Sequence, residues 1–100
     1  MIIAGPRLFG NRGRLEVYYN GQWGTVCDDD FSNADARAFC RSMGKPYARA
    51  EAIQEFGGGS GPIHLDDVNC DGQQKAMFCR HSGWGVHNCH HNEDVGLNCQ

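Results

Sequence analysis

The spacing of apolar positions changes along this chain. From Arg14 to Cys27 the residues Arg-Leu-Glu-Val-Tyr-Tyr-Asn-Gly-Gln-Trp-Gly-Thr-Val-Cys form two short β-rich runs around Asn20-Gly21. That dipeptide suits both central positions of a two-residue type I′ turn, so a β-hairpin is predicted. Its register places Leu15 and Val17 with Val26 on one face and Tyr18 opposite Trp23 on the other. Both faces are partly apolar, so one is expected on the core and the other under a terminus or loop. Beyond Phe31 the period lengthens. Ala36, Phe39, Cys40 and Met43 fall at i, i+3, i+4 and i+7, the buried stripe of one amphipathic helix. Ser32 is its expected N-cap, Asp35 completes a weaker form of the capping box, and Gly44 supplies the stop. Arg37 and Arg41 stand one turn apart on the exposed side.

The second half is less periodic. Gly57-Gly-Gly-Ser-Gly61 has a linker's composition, but cysteines flank it on both sides. It is expected to be an internal loop needing unusual φ values or close backbone approach. Ile63 to Cys70 reads as a short strand running into acidic residues, Lys75 to Cys79 as a helical turn, and Val95 to Cys99 as a closing strand. No internal repeat is present.

One hundred residues make one domain, and a chain this short has a marginal core. No apolar run approaches a membrane span, and Met1 to Ala4 is too short for a secretory signal. The six cysteines, Cys27, Cys40, Cys70, Cys79, Cys89 and Cys99, are spaced too widely to pre-form a zinc half-site. They read as three disulfides, which belong outside the reducing cytosol, although six cysteines allow 15 connectivities. There is no Asn-X-Ser/Thr acceptor. The net charge of −3 disfavours nucleic acid as partner. Residues 1–50 carry seven Lys/Arg against five Asp/Glu and residues 51–100 carry two against seven, which predicts a basic and an acidic region.

Two acidic groups carry candidate chemistry: Asp28-Asp29-Asp30 and Asp66-Asp67, with Asn88, Glu93 and Asp94 nearer the C-terminus. Calcium accepts carboxylate and amide oxygens in flexible geometry, but no EF-hand spacing occurs. Adjacent aspartates on a regular strand point to opposite faces, so these pairs must lie at strand ends or in loops to converge on an ion. His87-Asn-Cys-His-His91 would bind zinc only with Cys89 as a thiolate, leaving an odd cysteine. No nucleophile elbow is present, and a short disulfide-dense chain has little room for a walled pocket. Binding, not catalysis, is expected.

Gly13-Arg-Leu-Glu-Val17, Trp23-Gly-Thr-Val-Cys-Asp-Asp29, Ala36 to Gly44, Gly59 to Cys70 and His87 to Gly96 together resemble a scavenger receptor cysteine-rich domain. The likeness covers about residues 7–99 and is closest to the six-cysteine group of the macrophage scavenger receptors. The extra pair of the eight-cysteine group is missing, since Arg12 or its neighbours and Lys45 stand in those places. The segment Lys75 to Cys79 is about one residue short of the usual pattern. The resemblance implies an α+β fold, a small disulfide-rich domain whose curved, mostly antiparallel sheet cradles one main helix. Residues 7–100 would form it, with 1–6 an N-terminal tail or cloning remnant. It implies the pairing Cys27–Cys89, Cys40–Cys99 and Cys70–Cys79.

It further implies calcium held by Asp28, Asp29 and Glu93, and at a second site by Asp66, Asp67 and Asn88. The function implied is extracellular, non-enzymatic recognition of polyanions, microbial surface ligands or acidic partner proteins. No specific nucleic acid and no membrane insertion is expected. Calcium would bridge to the ligand, or Arg12, Arg14, Arg37, Arg41 and Arg49 would bind a polyanion directly. The alternative is an accessory interaction domain of a larger modular protease, oxidase or adhesion receptor. Either way the parent protein is expected to be multidomain or oligomeric.

Overall fold

The predicted hairpin forms. In the computed structural model, which describes residues 4–8, 10–70, 79–81, 83, 85 and 87–100, β3 (Glu16–Tyr19) and β4 (Gln22–Val26) pair antiparallel around Asn20-Gly21. Tyr18 faces Trp23 with ring centroids 5.3 Å apart, and Leu15, Val17 and Val26 are fully buried. The other strands are β1 (Ala4–Arg7), β2 (Arg12–Arg14), β5 (Glu51–Ile53), β6 (Ile63–Leu65) and β7 (Gly96–Asn98), with one helix, α1 (Asn33–Ser42). The boundary drawn from sequence after residue 6 falls inside β1, which pairs with β3. The helical turn expected over Lys75–Cys79 lies outside the described residues apart from Cys79.

The implied α+β fold, mostly antiparallel strands with one main helix, is present, and its strands are divided between two sheets. One runs β1-β3-β4-β6 and the other β2-β7-β5, antiparallel except for the parallel pair β4–β6. The division occurs at Leu15, whose N–H bonds the Val95 carbonyl while Val95 N–H bonds Val26. Residues 12–19, continuous in sequence pattern, therefore change sheets at one buried pivot. The core between the sheets and α1 holds Phe39, Leu65, Val68, Val95 and Leu97 beside the hairpin face. Each such side chain contributes about 1.5–3 kcal/mol on burial.

α1 begins and ends as its sequence dictates. Ser32 caps it reciprocally with Asp35, and Gly44, at φ 70°, closes it with the paired bonds Gly44 N to Arg41 O and Lys45 N to Cys40 O of a Schellman motif. Asp35 does more than cap. It is 2% exposed, and it accepts from Ser32 N–H at 2.8 Å and from Cys70 N–H at 2.7 Å. Asp35→Ala leaves both donors without their acceptor, so a loss of about 2–3 kcal/mol is expected in denaturant unfolding.

All three implied disulfides are present. Cys27–Cys89 ties the end of β4 to the segment before a 3-10 turn at His91–Glu93, and Cys40–Cys99 ties α1 to the chain after β7. The outer face of the hairpin is covered only in part, with Thr25 fully buried and Tyr18 40% exposed. Arg7 of β1 lies 3.9 Å from the Trp23 ring centroid and bonds Glu16. The glycine loop is held down by Asp94, which accepts from Gly59 N–H at 2.9 Å, and by His91, whose Nε2 lies 2.9 Å from the Gly61 carbonyl. A Cβ at Gly59 would collide with the Asp94 carboxylate and the Thr25 methyl, so the loop's glycine content reflects close approach as well as φ.

Candidate functional site

Parallel pairing of β4 with β6 brings their C-terminal ends to one end of the four-stranded sheet. Cys27 N–H bonds Leu65 there, Asp28 N–H bonds the Glu93 carbonyl at 2.8 Å, and the Cys27–Cys89 bond adds the segment carrying Asn88. Acidic residues from three distant parts of the chain thus meet. Oxygens of Asp28, Asp29 and Glu93 lie within 4.8 Å of one another and of the Cys27 sulfur. A second group, with the same limit, joins Asp29, Asp66 and both sulfurs of that disulfide.

Asp29 belongs to both groups. With its amide nitrogen turned inward, Asn88 donates to Asp29 Oδ2 at 3.0 Å and to Asp66 Oδ2 at 3.1 Å. With the amide reversed, its oxygen faces the same two carboxylates, an arrangement that a cation between them would favour. Asp67 stands apart. It takes a left-handed conformation, φ 51°, gives its N–H to Asp66 Oδ1, and enters neither group. Of the second implied set, Asp66 and Asn88 are brought together beside Asp29, while Asp67 lies outside both groups.

The surroundings favour a hard cation. Asp28 is 8% exposed and Asp66 3%, yet among the described residues neither is paired with Arg, Lys or His. Buried carboxylates without a counter-charge are costly. Both sulfurs are committed to a disulfide and cannot act as thiolates, so the donors are oxygens, which suits calcium over zinc. Partial positioning is already provided: Asp28 accepts from Glu55 N–H at 2.7 Å, and Glu93 accepts from His90 N–H while capping the 3-10 turn.

Asp94 and His91 have another role. Asp94 is fully buried and points the opposite way from Glu93, toward the glycine loop and His91 Nδ1 at 3.0 Å. The histidine cluster forms no metal group among the described residues: His87 Nδ1 accepts from Cys89 N–H, and both nitrogens of His91 are engaged.

Burial, followed by the charges of Asp66, Glu93, Asp28 and Asp67, raises the Asp29 pKa; burial with Asp66 and Asp30 raises that of Asp67. The Gly61 carbonyl and then Asp94 raise His91 against burial and Arg14, whereas burial lowers His81. A group whose folded pKa is raised adds stability below its unfolded value and loses it as pH rises through the folded value. For Asp29 that loss begins above the ordinary carboxylate value of 3.8. In chelator, the melting temperature of Asp29→Asn should therefore gain on that of the unaltered chain as pH rises from about 4 to 7. A constant difference would contradict the cluster's repulsion.

The arginines lie elsewhere. Arg12 and Arg49 flank the end of β7, Arg12 pairing with Asn98 and Arg49 N–H bonding Gln100, while the acidic groups precede its start. Arg37 and Arg41 are exposed on α1, with Arg41 5.1 Å from the Tyr47 ring. Arg14 is tied down. It reaches the Gly57 carbonyl at 3.3 Å and Glu16 at 3.5 Å, holding the glycine loop rather than projecting into solvent.

A family model described as the scavenger receptor cysteine-rich domain matches residues 8–100. The chain is 56% identical over 90 residues to macrophage receptor MARCO of Mus musculus, covering 89% of this chain and 17% of that protein. It is 48% identical over 99 residues to lysyl oxidase homolog 2 of Homo sapiens, covering 97% and 13%. Among solved structures, the dimeric form of the mouse MARCO domain superposes with TM-score 0.83 at 52% identity, covering 94% of this chain and 93% of that one. The third such domain of murine neurotrypsin gives 0.80 at 40%, covering 99% and 94%. The chain thus spans less than a fifth of the length of these curated relatives but nearly all of the solved domains.

Proposed function

Because this chain belongs to the scavenger receptor cysteine-rich family, we propose that it is an extracellular, non-enzymatic recognition module in which calcium assists capture of polyanionic or microbial ligands, or of acidic partner proteins. The observation that carries this is the meeting of Asp28, Asp29, Asp66 and Glu93 around the Cys27–Cys89 bond, with two of the four buried and, among the described residues, without a cationic partner. Asp28, Asp29 and Glu93 would hold one ion and Asp29, Asp66 and Asn88 a second. Bound calcium would offer open coordination positions to sulfate, phosphate or carboxylate oxygens. The three disulfides support an oxidising compartment for the domain.

Arg12, Arg37, Arg41 and Arg49, which are exposed and belong to neither acidic group, would provide a second, calcium-independent route to a polyanion. Retention of the disulfide-intact domain on immobilised dextran sulfate separates the two. Loss of retention in EDTA at constant ionic strength is the expected result. Retention in EDTA, with release only by raised salt, would assign binding to the arginines instead.

The accessory reading has its own support. The family recurs within proteins as different as a macrophage receptor and a lysyl oxidase homolog, and this chain covers 13% of the latter. A domain that binds calcium but no polyanion under any of these conditions would favour that role.

A further inference from the structure

We propose that Asn20 is a site of spontaneous backbone modification, converting to aspartyl and isoaspartyl forms through a succinimide. Both residues of the Asn20-Gly21 turn are exposed and left-handed, with φ 52° and 80°. They lie beyond the last strand pair, Tyr19 with Gln22. Among the described residues no hydrogen bond engages the Asn20 side chain or the Gly21 N–H, and the space about the Gly21 α-carbon is open. The nucleophile and its electrophile are therefore neighbours without competing partners. Each other asparagine is followed by a residue with a side chain: Arg12, Ala34, Cys70, Cys89, Glu93 or Cys99.

The step balances with water alone. The Gly21 nitrogen attacks Asn20 Cγ and loses its proton, the Cγ–Nδ2 bond breaks, and ammonia departs with that proton. Water then opens the five-membered imide. Cleavage at Cγ leaves an ordinary aspartyl residue in an unaltered backbone, whereas cleavage at the α-carbonyl routes the backbone through the side chain. Reaching the imide requires Asn20 to leave its left-handed conformation, which the unencumbered tip permits.

The two products differ structurally. Aspartate tolerates the left-handed conformation, so that form keeps the turn. The isoaspartyl form adds a methylene to a two-residue loop whose twist must match its strands, so it disturbs the Tyr18–Trp23 pair above it. Either product adds a negative charge at the tip.

The test is incubation of the disulfide-intact domain in mildly alkaline buffer. Peptide mapping and enzymatic methylation of isoaspartate follow, with Asn20→Asp as the reference for the aspartyl form. Conversion at Asn20 ahead of every other asparagine is expected, with altered near-UV dichroism in the isoaspartyl fraction and a native spectrum for Asn20→Asp. Conversion of another asparagine first, or of Asn20 only in the reduced and unfolded chain, would overturn the proposal.

Discussion

Asp29→Ala should abolish calcium binding at both oxygen groups, leaving a flat calorimetric trace where the unaltered domain gives a saturable one. Asp29 is the carboxylate that the two groups share, so its loss removes a ligand from each at once. The effect should exceed the roughly 10–100-fold loss of affinity typical when a supporting partner of a metal ligand is removed. Asp67→Ala should leave the trace close to unchanged, because Asp67 enters neither group. Asp29→Ala also changes stability. Without calcium, Asp29→Ala relieves the repulsion exerted by Asp66, Glu93 and Asp28, so the variant that cannot bind the ion should melt higher in chelator at neutral pH. Undiminished calcium heats in Asp29→Ala would place the ion elsewhere.

Removing the Cys27–Cys89 bond by paired alanine substitution is the second large effect. Its cysteines are 62 residues apart, and a closed loop of that size contributes about 4 kcal/mol in the chain-entropy account. Calcium binding should fall with it, since this bond holds the Asn88 segment against Asp29. Paired replacement of Cys70 and Cys79, nine residues apart, makes the contrast: a loss of about 2.5 kcal/mol with calcium binding kept. Equal losses of calcium affinity in both pairs would mean that general loosening of the fold, not the local bond, is responsible.

These expectations rest on long-range geometry that local pattern reveals only in part. The hairpin was legible because Asn20-Gly21 and the flanking alternation specify turn and register within fourteen residues. The helix was equally legible, since Ser32, Asp35, the apolar stripe and Gly44 act within a few turns. The role of Asp35 in bonding Cys70 was not, because its partner lies 35 residues away. Arg14 resembled its neighbours as a candidate ligand-binding cation until the glycine loop was seen to lie against it.

The site shows the same division more sharply. The sequence supplied the oxygen donors, and the family resemblance grouped Asp66 and Asp67 with Asn88. Backbone direction separates that pair, because Asp67 turns into a left-handed conformation while Asp66 stays buried beside Asn88. Glu93 and Asp94 are parted likewise, one facing the cluster and the other holding the loop.

By itself, then, the sequence determined the hairpin, the helix with both its ends, and, through recognisable motif blocks, the family and the disulfide pairing. Local dihedral preference, side-chain period and the order of those blocks are all written along the chain. Only the tertiary structure decided that residues 12–19 divide between two sheets, that β4 and β6 run parallel, and that Asp29 is shared. Those outcomes depend on which distant backbone groups satisfy one another: Leu15 with Val95, Cys27 with Leu65, and Asp28 with Glu93.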